Sequence, residues 1–199
     1  MITRLLLLLA IPLTAAYSQT VVPPALKDKY PQLRVTPKVA TKRDEQRGTG
    51  YMEQMTINPT VTVESLATSK IADASATMII ITMDTREKYV SRREVFNVHT
   101  AETIPVPAAD RGGKREFEFK SSKVRYDAYR DASNVGGAIY KWYIFGLRDA
   151  ATKQLLHFET NNTQLTKHVT ANPGDRDKFL SLAVKSEFSE NFKSQSSTK

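Results

Sequence analysis

The chain has 199 residues, no Cys and a formal net charge of +8, with 40% hydrophobic and 25% charged residues. The lack of Cys excludes a disulfide scaffold, a thiol nucleophile and a lipid-anchored N-terminal Cys. The length suits one sizeable domain that can be stable without covalent staples.

Met1-Ile2-Thr3-Arg4 carries one positive charge, and Leu5–Leu13 is almost wholly apolar. Thr14, Ala16 and Ser18 then offer cleavage after Ala16 or after Ser18. Basic, apolar and small residues in that order predict a secretory signal peptide over 1–18. The apolar run falls well short of the ~20 residues that span a bilayer. It also lacks the Glu that marks a retained pilin helix. Removing Arg4 with the signal leaves a mature charge of +8 − 1 = +7. No second long apolar run follows, so the mature form is expected to have no transmembrane segment. The expected location is the periplasm, the outer-membrane periphery or the extracellular surface.

Residues 19–45 read as an arm punctuated by Pro23, Pro24, Pro31 and Pro37, with room for one helical turn over Pro24–Tyr30. A domain is expected over 46–192. Met55, Ile57, Val61 and Val63 keep one phase of a two-residue alternation, and Pro59 among them suggests an edge strand or a bend. Ala76–Met83 contains Met78-Ile79-Ile80-Ile81, the composition of a strand buried on both faces. Val95–Thr100 alternates less cleanly. Phe117 and Phe119 share one phase and Val124 and Tyr126 the other, so Ser121-Ser122 marks a bulge or a new strand.

Ala138–Leu147 is apolar on both faces, with Trp142 on one and Tyr143 and Phe145 on the other, as in a central strand. Arg148–Lys153 reads as a turn, and Gln154–Thr160 as the returning strand. Leu156 and Phe158 are expected to point inward there, and His157 and Glu159 outward. Asn172-Pro173-Gly174-Asp175 is a turn that could cap a helix near 175–186, although Phe179–Val184 would also suit a last strand. The Ser- and Lys-rich tail, 193–199, is expected to fray. Short strands without regular helical crossovers predict a mostly β, antiparallel sandwich with a short C-terminal helix.

No catalytic motif emerges. No Ser lies in a G-x-S-x-G elbow. His99, His157 and His168 are scattered; His157 and Glu159 share a strand face but lack the further ligands that zinc needs. Glu116 and Glu118 share a face too, but Arg115 and Lys120 flank them as cross-strand charge partners. No phosphate loop is present. No catalytic residue, metal or cofactor is therefore assigned. Trp142 is the sole Trp, and in a central strand it belongs to a core rather than to a ligand platform.

Basic residues gather at Lys38–Arg47, Arg86–Arg93 and Arg111–Arg130, each time among acids. One reading is a solvated surface with charged edge strands. The other is a polyanion site built from Arg86, Lys88, Arg92, Arg93, Arg111, Lys114, Arg115, Lys123 and Arg125. Export and the absence of a recognised motif argue against nucleic acid as the ligand.

The segment Tyr140–Asn162 resembles the paired strands of bacterial immunoglobulin-like domains, through its Trp on a central strand and its Arg148-Asp149 turn. It departs from the antibody pattern in lacking the Cys pair and in placing Trp late. Taken whole, the chain resembles small exported proteins of mucin-dwelling gut bacteria that accompany type IV pilus-like components. The resemblance implies an immunoglobulin-like fold, a surface role and envelope or pilus-like partners, and it transfers no functional residue. The expected function is non-catalytic protein binding or assembly in the bacterial envelope. Alternatives are a binder of acidic glycans such as mucin or heparin-like chains, and a hydrolase with an unrecognised site.

Overall fold

The computed structural model describes residues 33–45, 50–65, 72–109, 113–189 and 192. The expected signal peptide, residues 19–32 of the expected arm and the tail from 193 lie outside these residues. In chain order the elements are β1 (Leu33–Glu45), β2 (Met52–Ser65), β3 (Ala74–Asp84), α1 (Thr85–Tyr89), β4 (Val95–Val106), β5 (Gly113–Glu118), β6 (Ser122–Asp127), β7 (Ala138–Asp149), β8 (Leu155–Thr160), α2 (Thr163–Ala171), α3 (Asp175–Leu180) and β9 (Glu187–Ser189).

Every ladder is antiparallel. The first sheet runs β1-β2-β5, with β6 also on β2; the second runs β8-β7-β3-β4-β9. With β1, β2, β3, β4, β7 and β8 as A, B, C, C′, F and G, and β5–β6 in the place of E, the sheets read A-B-E and G-F-C-C′. This is an immunoglobulin-like order. The mostly β, antiparallel sandwich with a short helix is therefore the observed fold.

Two cores explain the layers. Met55, Ile57, Val61 and Val63 of the first sheet pack against Ala76, Met78, Ile80 and Phe145 of the second. Ile79, Ile81, Trp142 and Ile144 fill the opposite face of the second sheet, beneath Leu165, Val169 and Phe179 of α2 and α3. The Ile-rich run of β3 is thus buried on both faces, between β4 and β7. Trp142 is core, as its strand position implied, but it faces the helices, whereas the immunoglobulin Trp fills the space between sheets. Its ring contacts Phe96, Phe188 and Phe192 edge-on, with centroids 5.9, 5.7 and 6.3 Å away. At Gly146 a Cβ would come within 2.5 Å of Leu180, so glycine lets the end of α3 seat against β7.

Three expectations are corrected. Within the expected arm, Leu33–Glu45 is a strand paired along nearly all of β2. Val35 and Pro37 are buried in it, while its alternate positions stay exposed. Pro59 lies in a strand with neighbours on both sides, not at an edge. It is tolerated because its missing N–H falls where β5 ends: Phe119 N–H donates to Pro59 C=O, and β6 resumes one residue out of register. The C-terminal helix closes at Leu180 rather than 186, and Phe188 belongs to β9 beside Phe96. The added helix α2 starts at Asn162, whose side chain accepts from the N–H groups of Gln164 and Leu165.

The Phe119–Pro59 bond also fixes backbone direction. Odd positions of β2 turn their N–H and C=O toward β5 and β6, and even positions toward β1. Pro37, opposite Val61, therefore presents its donorless nitrogen to the open edge of β1, where proline costs no ladder bond. Ala40, opposite Asn58, bonds inward. Ala40→Pro should cost about 1–3 kcal/mol through a lost bond and an orphaned acceptor. Thr41→Pro should stay within about 1 kcal/mol. Chemical denaturation of the two variants checks this contrast, and equal losses would refute the assigned edge.

Candidate functional site

The structure distributes the sequence-predicted basic residues rather than gathering them. Arg86 and Lys88 lie on α1, with Arg92 and Arg93 in the turn after it; Lys114 and Arg115 lie on β5, and Lys123 and Arg125 on β6. Arg111 lies outside the described residues. Around α1 the charges are paired locally. Lys88 bridges to Glu94, and Arg93 Nη2 donates to Glu87 Oε2 at 2.6 Å. On β5, Arg115 holds its guanidinium 5.5 Å from the Phe117 ring centre. Lys114 sits opposite Glu64, which also meets Arg34 at 3.8 Å.

Lys123 and Arg125 remain on the outer face of the first sheet. Register aligns Lys42, Thr56 and Lys123 across three strands, with Asp44, Gln54 and Arg125 one row away. Lys38 lies opposite Thr60, in the same row as Glu118. Lys42 is shared with Asp44 at 3.3 Å. This face thus has a cationic end, while Glu64, Glu116 and Glu118 mark the other. Lys38 and Lys42 belong to a basic run of the sequence but not to the site predicted from it. Only the register of β1 brings Lys42 beside Lys123, and the prolines hide that strand.

At one end of the sandwich a cleft of about 80 Å³ opens between α1, β2 and β6, lined by Arg43, Glu53, Tyr89, Tyr126 and Arg130 among others. Its wall depends on Gly137, where a Cβ would lie 2.3 Å from the Arg125 carbonyl and φ is +110°. Thr85 N–H donates to Gly137 C=O at 2.9 Å, tying α1 to this corner. Tyr126 donates its hydroxyl proton to Glu53. Burial, then that bond, pushes the phenol up to about 12, while Arg43 and Arg130 pull the other way. Arg43 and Arg130 are balanced there by the carboxylates of Glu53 and Asp127, so the cleft carries no net formal charge.

The His157–Glu159 pair is not on an exposed face. β7 and β8 slip by one residue, so that Leu147 faces His157 while Arg148 faces Leu155. Leu156 is then the extra residue of a bulge, and both Leu156 and His157 are buried. His157 Nε2 lies 3.1 Å from one Glu159 oxygen, and Tyr143 donates to the other at 2.9 Å. Burial, chiefly, holds the Tyr143 phenol above its ordinary range, with Glu159 adding to it. The third member is a tyrosine, and among the described residues no group of three or more His, Asp or Glu could hold a metal. Burial alone lowers the His99 pKa, at a bulged position of β4.

An open groove of about 370 Å³ runs beside Trp142 and Phe192, with Lys141 and Gln164 on its rim. The Asn161 side chain there is committed: it accepts from Tyr143 N–H at 2.9 Å and donates to the Tyr140 hydroxyl.

No protein-family model matches the chain, and no curated protein does. Among solved structures, β-glucuronidase 2 of Bacteroides uniformis aligns at 14% identity and a TM-score of 0.31, over 62% of this chain and 12% of the enzyme. The chain thus spans about an eighth of that enzyme's length. A protein of Akkermansia muciniphila aligns at 9% identity and a TM-score of 0.25, over 84% of this chain and 82% of the other. The structural genomics target SoR45 aligns at 10% identity and a TM-score of 0.24. These are loose likenesses, and the fold assignment rests on the ladders described above.

Glu159→Ala would leave two buried polar groups unpaired, for an expected loss of about 2–4 kcal/mol. Glu159→Gln keeps both contacts possible and should lose about 1 kcal/mol. Urea denaturation separates the two; equal stability of Glu159→Ala and the parent chain would show that the network contributes nothing.

Proposed function

We propose that this chain is an exported, non-catalytic protein of the bacterial cell envelope or surface, acting by binding or assembling with envelope proteins, pilus-like ones among them. The observation that carries the reading is the outer edge of β1. That strand spans 13 residues, and among the described residues nothing pairs with its outer side. Its odd positions offer N–H and C=O groups to an incoming strand, the mode of recognition known as β-augmentation. Pro37, Lys38 and Lys42 interrupt the edge enough to discourage indiscriminate pairing. The signal-like N-terminus supplies the address.

A photoreactive residue at Thr41, at that edge, should cross-link to an envelope protein in the native cells. The same group at Thr62, on the outer face of β2, should not. Recovery of the chain alone, free in the medium and without cross-links, would overturn the reading.

A second reading has its own support in the cationic end of the outer face. Lys42, Lys123 and Arg125 there suit a polyanionic glycan that follows the flat sheet. Retention on heparin should fall as salt rises, and Lys42→Glu with Lys123→Glu should elute at lower salt. Retention indifferent to both salt and substitution would remove this reading.

A further inference from the structure

The edge of β1 is complementary to itself. When two copies meet antiparallel with Val39 opposite Val39, the odd positions of each strand, whose N–H and C=O point outward, face one another as hydrogen-bonded pairs. Arg34 then lies opposite Asp44, Thr36 opposite Lys42 and Lys38 opposite Ala40 on the outer face. By symmetry each of these pairs occurs twice. On the inner face Val35 meets Arg43 and Pro37 meets Thr41. Thr41 N–H finds the Pro37 carbonyl, so proline forfeits only its own missing donor.

Neighbouring registers are worse. A slip of one hydrogen-bonded step one way puts Lys38 opposite Lys38 and Arg34 opposite Lys42. The slip the other way puts Lys38 opposite Lys42 on both sides of the axis. Like charges directly opposite each other are destabilising. Of these three registers, only that centred on Val39 brings no like charges together and places an ion pair at each end. The two ionic groups are accessible, with the Arg34 side chain 66% and the Asp44 side chain 43% exposed.

We infer that β1 pairs with β1 of a second copy of this chain, joining the two first sheets into one continuous sheet with two-fold symmetry. This rests on the reading of β1 as an assembly edge and names its partner. Lys38 and Lys42 then set the register by excluding the neighbouring ones, in addition to guarding the edge.

The test uses protein expressed from the full sequence and purified as processed, followed by analytical ultracentrifugation over about 1–100 μM. Wild type is expected to dimerise. Asp44→Arg sets two guanidinium groups against each other at each end of the paired edge, and Arg34→Asp sets two carboxylates there. Each variant alone should therefore dissociate at least about tenfold more readily. Mixed together the variants should dimerise again, because each supplies the charge the other lacks. Circular dichroism of each variant confirms that it is folded.

A monomeric wild type overturns the inference, and so does a dimer indifferent to both substitutions. Folded variants that stay monomeric in the mixture overturn it as well. These outcomes are separate from the cross-linking test at Thr41. A monomeric chain that still cross-links to an envelope protein would retain the binding role without the self-pairing. A dimer that captures nothing in cells would do the reverse.

Discussion

The two central strands of the second sheet, β3 and β7, are buried on both faces, and everything else is arranged to meet that constraint. Ile79, Ile80, Ile81, Ile144 and Phe145 are completely buried. A strand pair with apolar side chains above and below needs a cover on each side. The first sheet provides one, through Met55, Ile57, Val61 and Val63. The segment after β8 provides the other, by returning over the sheet as α2 and α3 and adding β9 to the β4 edge. The result departs from a plain sandwich: its second sheet is internal, and a Trp-centred aromatic cluster forms the outer seam.

The parts of the fold governed by unbroken periodicity are readable from the sequence. The alternation of β2, the doubly apolar β3 and β7, and the interruption at Ser121-Ser122 all have their expected structures. What escapes depends on partners that local pattern does not name. Leu33–Glu45 reads as an arm because Pro37 and its lysines obscure a strand, and only the ladder with β2 reveals it. His157 reads as outward because one face of its strand is expected to be exposed, but both faces of the second sheet are covered. His157 lies opposite Leu147 on the face toward the first sheet, and the one-residue slip brings Leu156 to that side as well. The pattern after Gly174 predicts a helix running on to 186. The helix ends at Leu180, and the chain beyond it places Phe188 beside Phe96 and Trp142.

Charge is the least legible feature. The cluster Arg86–Arg93 is dense in sequence, yet Lys88 and Arg93 are spent on Glu94 and Glu87 within the same turn. Conversely, Lys42 and Lys123 stand far apart in the chain and share one row of a sheet. Sequence proximity in a β protein measures the length of a connection. Surface potential follows strand order, so a cationic face must be read from ladders. The same holds for the cleft at Tyr126, where Arg43 and Arg130 converge on one phenol from different elements.

The late placement of the second cover has a consequence for biogenesis. A chain that emerges N-terminus first, from a ribosome or through a membrane pore, delivers both sheets before α2, α3 and β9. During that interval Ile79, Ile81, Trp142, Ile144 and Phe158 form an uncovered greasy plate. Surface of that kind is aggregation-prone until it is covered, and the cover arrives only with the C-terminal segment. Leu180, seated over Gly146, belongs to that late-arriving cover.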